Sequence, residues 1–161
     1  MTLRIIANFS KKYYMRIAHL TWSMGIGGIQ TMLIGIVNEQ VKGGHEVGIF
    51  VVDTIISETI INKLDSRVKV FYMRRIPGTK PIWPFVKLNW LLWRYKPDII
   101  HSHAGKLAKV LFINVPMVVT VHNMKANPHD YKKYIRKIAI SEAVRNDWVR
   151  QGCDELTLIE I

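Results

Sequence analysis

Short apolar runs alternate along this chain with longer stretches whose apolar residues recur every three or four positions. Arg16–Thr21 (RIAHLT), His45–Asp53 (HEVGIFVVD) and Val68–Met73 (VKVFYM) have strand length and little polar interruption. So do Asp98–Ser102 (DIIHS), Val115–Val121 (VPMVVTV), Lys137–Ile140 and Leu156–Ile161. Between them, 29–42 carries Met32, Leu33, Ile36, Val37 and Val41 at helical spacing. Gly43-Gly44 offers the left-handed conformation that stops such a helix. Ser57–Leu64 reads as a short helix capped by Ser57, and Phe85–Tyr95 as a helix opening behind Pro84. Lys106–Phe112 and Tyr131–Lys137 read as two more short helices, and Ser141 caps a last one running to about Gln151. Near-continuous apolar strands separated by helices predict an α/β domain: an open, mostly parallel sheet with helices on both faces. The domain is expected over 15–161, with 1–14 a segment peripheral to the core.

Composition adds exclusions. At 161 residues, 49% hydrophobic and 22% charged, the chain is neither disordered nor collagen-like, and it is long enough to fold without staples. A single cysteine, Cys153, rules out an internal disulfide framework, as a reducing cytosol favours; with no evident partner it makes a poor nucleophile. No apolar run reaches the ~20 residues of a membrane span, and Met1–Tyr14 lacks the pattern of a secretory signal. The expected location is therefore the cytoplasm, with peripheral contact at the inner face of a membrane.

Charge sharpens the picture. The formal net charge is +11, and between Ser66 and His129 eleven bases face one acid, Asp98. Such a field favours an anionic partner, although a solvated basic face kept for solubility gives the same count. The densest part runs from Arg74 to Lys96. Arg74, Arg75, Lys80, Lys87 and Arg94 alternate there with Trp83, Trp90 and Trp93, and there is no acid at all. On a helical wheel Phe85, Leu88 and Leu92 form the stripe that should meet the sheet, while Lys87 and Arg94 lie opposite with Trp90 beside them. Cations next to indoles suit an acidic membrane interface. The competing arrangement packs the tryptophans in the core. Full burial of Trp90 and Trp93 would count against the membrane reading.

In an open parallel sheet, ligands bind outside the carboxyl ends of the strands. Four features fall there. Gly25-Ile26-Gly27-Gly28 precedes the first long helix, where free N–H groups can meet an anion; a plain tight turn explains the glycines equally well, and the dinucleotide fingerprint is incomplete. His101-Ser102-His103 follows the fourth strand. Two imidazoles two residues apart lie on one side, but with no cysteine or paired carboxylate nearby no metal site is expected. His122-Asn123 ends the fifth strand, where an imidazole can exchange hydrogen bonds with a substrate hydroxyl or simply be structural. Ser141-Glu142 ends the sixth, where capping alone explains the serine.

The order of a glycine-rich loop, GGHEV, KPDIIHSH, TVHN and AISEAVR from Met15 to Ile161 resembles the N-terminal half of a family-four retaining glycosyltransferase of the GT-B fold. The resemblance implies a Rossmann-like domain facing a second one across a cleft. It implies transfer of a sugar from a nucleotide-sugar donor to an acceptor, with no metal or other cofactor. By position it implies that His122 faces the transferred sugar as the catalytic group. Gly27 and Gly28 would meet the donor phosphates or the acceptor, and His103 would line the acceptor side. Asn123, Ser141 and Glu142 would join them in binding substrate at the cleft. A lipid-linked acceptor would agree with the basic, tryptophan-rich segment. The family's Glu-x7-Glu motif, carried by the second domain, is missing here: Glu39, Glu46, Glu58, Glu142, Glu155 and Glu160 include no pair eight apart. The resemblance therefore implies half an enzyme that needs a second domain or a partner chain, and little activity or nucleotide-sugar binding alone. The rival classes are a non-catalytic basic module on an anionic membrane, or one on nucleic acid. No DNA- or RNA-binding motif supports the last.

Overall fold

The structure is a computed structural model and describes residues 14–125, 127–153 and 158–160. Seven strands form one sheet: β1 (Arg16–Thr21), β2 (Glu46–Asp53), β3 (Lys69–Arg75), β4 (Ile99–Ser102), β5 (Met117–Val121), β6 (Arg136–Ala139) and β7 (Leu158–Glu160). Every pairing is parallel, in the order β3-β2-β1-β4-β5-β6-β7. The chain winds outward from β1 to β3, crosses back to β4 and winds outward the other way. The switch between β1 and β4 is where a doubly wound sheet opens a crevice. This is the Rossmann-like α/β sheet expected from the apolar runs. Of the 1–14 segment only Tyr14 falls within the described residues.

Among the described residues four helices cover the sheet: α1 (Gly28–Lys42), α2 (Glu58–Ile61), α3 (Trp83–Tyr95) and α4 (Glu142–Arg150). On one face Leu33, Ile34, Val37 and Val41 of α1 pack on Val47, Ile49 and Val51 of β2. On the other, Leu88, Leu92 and Tyr95 of α3 and Trp148 of α4 join Ala18, Leu20, Phe50, Val119 and Val121. Strand β2 feeds both cores in alternation, which is why it reads as unbroken apolar sequence. Gly48 in its middle leaves room for the Tyr95 ring; an added Cβ would lie 3.0 Å from it. The Tyr95 hydroxyl donates towards the carbonyls of Ile17 and Glu46 at 3.3 and 3.2 Å, so it ties α3 to both central strands.

Some expectations shift. Helix α1 ends as read, with Gly44 at φ 91 in the left-handed position. Helix α3 begins at Trp83, so Pro84 sits inside its first turn. The 106–112 stretch is a 3-10 turn, Gly105–Val110, in place of an α-helix. The helix expected over 131–137 does not form. Pro128–Tyr131 is a 3-10 turn whose first N–H groups are met by Asn127, whose side-chain oxygen accepts from the His129 N–H at 3.0 Å. Arg136 then already belongs to β6. Tyr131 and Tyr134 turn towards the core, where Tyr131 meets Trp148 edge-on at 4.7 Å. Those packing needs override the local basic helical pattern.

Candidate functional site

The loops after β1, β4, β5 and β6 open on one end of the sheet. A cavity of about 500 Å³ lies there, and His103, His122 and Asn123 line it. Gly27, Gly28, Ser141 and Glu142 sit on neighbouring loops at the same end but do not line it. Its other walls were not legible in the sequence: Trp22 after β1, Lys106 from the 3-10 turn, Thr120 in β5, and Lys125, Asp130 and Tyr131 from the β5–β6 connection. Gly105 brings this wall together. A Cβ there would lie 2.3 Å from the Tyr131 ring.

Gly27 is the residue before α1, with its carbonyl accepting from the Thr31 N–H at 3.1 Å and the Thr31 hydroxyl at 3.0 Å. No side chain caps this helix and no acid stands in its first turn. Nothing lies within 4 Å of the Cβ that Gly28 lacks. The helix end therefore keeps its partial positive charge and an open approach. Ser141 caps α4 by accepting from the Val144 N–H at 3.3 Å, so its hydroxyl has a structural task, and Glu142 is exposed.

Four imidazoles crowd the crevice. His19 pairs in register with His101 across the β1–β4 switch. His19, His101 and His103 are buried, and the rings of His103 and His122 lie 5.7 Å apart. Burial holds His19 at about 4 and His101 at about 3, and pushes His103 and His122 down as well. All four are neutral near pH 7. His19 accepts or donates at 3.2 Å with His103 and at 2.7 Å with Gln40, and His101 meets the Thr120 hydroxyl at 2.8 Å. His103 Nδ1 and His122 Nε2 are buried without a protein partner. His101 and His103 alone are too few to hold a metal. The structure adds His19, and the three rings bring ligand atoms within 4.8 Å of one another, the one such group among the described residues. Among these three rings His19 bonds His103 and Gln40, and His101 bonds Thr120.

The basic segment divides. Trp83, Trp90 and Trp93 are 79%, 51% and 67% exposed, and Arg94 stacks over Trp90 at 5.3 Å. Arg74, Lys80 and Lys87 are exposed as well, and Lys87 donates to the Tyr72 carbonyl. Arg75 departs from the expected anion-binding set. It grips Asp53 through two nitrogens at 2.7 and 2.9 Å and lies over the Trp22 ring at 4.8 Å, with a side chain only 14% exposed. A further cavity, of about 400 Å³, is lined by Ile82, Phe85, Val86 and Phe112 together with Lys80 and Lys109. Among the described residues no helix is long and apolar enough to cross a membrane.

The family model for glycosyltransferase family 4 matches residues 26–160, most of the chain. The chain belongs to glycosyltransferase family 4. Solved structures carry the same fold. The Anabaena protein HepE, in complex with UDP and glucose, is 18% identical with a TM-score of 0.68, over 92% of this chain and 44% of its own. A glycosyltransferase from Rickettsia africae is 18% identical with a TM-score of 0.67, over 92% of this chain and 42% of its own. The lipopolysaccharide outer core galactosyltransferase WaaB, in its apo form, is 15% identical with a TM-score of 0.65, over 90% and 44%. At these identities the likeness is one of fold, and it supports an N-terminal, GT4-like domain of the GT-B type. This family 4 chain spans less than half the length of each of these structures. No curated protein matches the sequence.

Proposed function

We propose that this chain is the acceptor-side domain of a retaining glycosyltransferase, completed by a second, donor-binding domain. The neutral His122 at the end of β5, whose buried Nε2 has no hydrogen-bond partner, carries the reading, because it stands in the crevice beside the open end of α1. In the proposed reaction the acceptor oxygen attacks the anomeric carbon from the face that the β-phosphate leaves. The carbon–phosphate oxygen bond breaks, and the acceptor proton passes to the departing phosphate. His122 donates to, or accepts from, a hydroxyl of the transferred sugar near that carbon. A neutral ring suits this task because it adds no charge to the crevice. Such a contact, aimed at developing charge, is worth ~3–4 kcal/mol. Gly27 and Gly28 leave the α1 terminus open to a phosphate. Asn123 lines the same wall. The structure leaves Ser141 to its cap, so Glu142 is the more available group on that loop.

The donor is a nucleotide-sugar; UDP and glucose are bound by HepE, which has the same fold. The acceptor is lipid-linked, and the domain docks peripherally on an acidic membrane. The exposed Trp83, Trp90 and Trp93 beside Lys80, Lys87 and Arg94 support this, as does the apolar groove of Ile82, Phe85 and Phe112 alongside. A transfer screen of nucleotide-sugars on the full-length or reconstituted enzyme tests the reading. His122→Ala should lower kcat by roughly 10²–10³-fold with the fold intact. Loss below tenfold, or no transfer from any donor by the unaltered enzyme, rejects it.

A further inference from the structure

The buried rings of the crevice are connected in one direction. Gln40, in the last turn of α1, presents its side-chain carbonyl oxygen to His19 Nε2 at 2.7 Å. His19 Nδ1 lies 3.2 Å from His103 Nε2. His103 Nδ1, at the far end, has no partner. His101 stands outside this line and is held by Thr120.

Elementary bookkeeping fixes the protons. A neutral imidazole has one N–H and one bare nitrogen. The Gln40 oxygen can only accept, so His19 Nε2 carries the hydrogen and Nδ1 is bare. A bare Nδ1 can only accept, so His103 Nε2 carries its hydrogen towards His19. That leaves a lone pair on His103 Nδ1. His103 forms part of the wall of the 500 Å³ cavity, next to His122.

We infer that Gln40 and His19 are positioning residues that lock His103 in its Nε2–H form, so that its Nδ1 is an acceptor reserved for a ligand hydroxyl. This rests on the cavity being the sugar site. A hydroxyl can donate to the bare nitrogen and fill a vacancy that is otherwise costly in a buried place. An ether, carbonyl or phosphate oxygen at the same point would set lone pair against lone pair. The lock thus selects hydroxylated over deoxygenated or alkylated ligands at that position. None of the lock's own residues need touch the ligand: Gln40 lies on the helix, and His19 is fully buried.

The direction of the chain hangs on the Gln40 oxygen, and substitution there tests it. Protein labelled with ¹⁵N-histidine, read by long-range proton–nitrogen correlation near pH 7.5 without sugar, should show His19 and His103 both as Nε2–H. Gln40→Glu keeps an acceptor and should keep both. Gln40→Lys offers only donors and should reverse the line, making His103 predominantly Nδ1–H. Gln40→Leu removes the partner and should give His103 a mixture of forms; it decides the same question should the lysine variant not fold. His103 found as Nδ1–H in the unaltered protein, or unchanged in the folded Lys or Leu variant, overturns the lock. In the transfer assay, Gln40→Lys should lower kcat/KM about tenfold and Gln40→Glu should stay near the unaltered value. An unchanged kcat/KM with a reversed ring overturns the ligand half. The ring forms are read with no substrate present, so the absence of all transfer would reject the transferase reading and leave the lock standing.

Discussion

The crevice between β1 and β4 and the outer face of α3 invert the usual rule of burial in opposite senses. The crevice hides polar rings: His19 is fully buried beside His101 and His103. The α3 face shows apolar ones, with three indoles in solvent next to cations. Each arrangement is unfavourable in isolation. The crevice makes its polarity tolerable by keeping the imidazoles neutral and hydrogen-bonded, with two ring nitrogens left unmet. The α3 face compensates little internally, beyond the Arg94 guanidinium stacked on Trp90; the proposed docking would cover its indoles. Under the proposed function the first region receives a small polar group and the second meets a membrane surface.

That contrast can be broken most severely by acid. His19 is held at about 4 and His101 at about 3, whereas both titrate near 6.5 in an unfolded chain. Between pH 6.5 and 4 the unfolded chain binds protons that the native rings refuse. Stability is therefore complete above pH 6.5 and falls as pH falls through this window, by on the order of 3 kcal/mol for His19 alone. Urea denaturation at pH 7.5 and pH 4.5 measures it, and equal midpoints would contradict the buried, neutral rings. Vesicle binding by the still-folded protein should not follow this curve.

Arg75 tests where the cationic face ends. Arg75→Ala strands Asp53, which is 6% exposed, and should cost about 3 kcal/mol. Its urea midpoint should drop while the binding of folded protein to vesicles stays put. A surface arginine would behave the other way round. Replacing Trp83, Trp90 and Trp93 together by alanine should weaken binding to anionic vesicles at least tenfold, and each change should move stability by no more than ~0.5 kcal/mol. Co-sedimentation and thermal melts separate the two, and binding to neutral and anionic vesicles alike would remove the electrostatic part of the reading. Arg94→Ala is the smallest step: about fivefold weaker binding at low salt, from ~1 kcal/mol per base. The difference should fade as salt rises.

The sheet was legible because β1, β2, β4 and β5 bury nearly every side chain, and such apolar runs leave few alternatives. The strand ends placed His103 and His122 correctly at one mouth for the same reason. Helices held by tertiary contacts were harder. The 131–137 stretch looks helical by charge and spacing, yet Tyr131 and Tyr134 are claimed by the core. His19 could not be joined to His101 and His103 from sequence, since they lie 82 and 84 residues apart and only strand order brings them together; the spacing marked only His101 and His103 as lying on one side. Arg75 looked like its neighbours because composition does not reveal that the β2 end carries Asp53 opposite it. Trp22, Lys106 and Tyr131 reach the cavity from loops, where no period guides the eye.

Strand β3 lies at the rim of the sheet, with β2 its single strand neighbour among the described residues. Its sequence, KVFYMRR, begins and ends in positive charge. Lysine and arginine on an open strand discourage a second copy from adding itself to the sheet. Arg74, one of the bases in the proposed docking face, thus also helps keep two molecules apart. Neutralising Lys69 and Arg74 would invite self-association through this rim, and sample clarity and particle size would register it before any lipid was added.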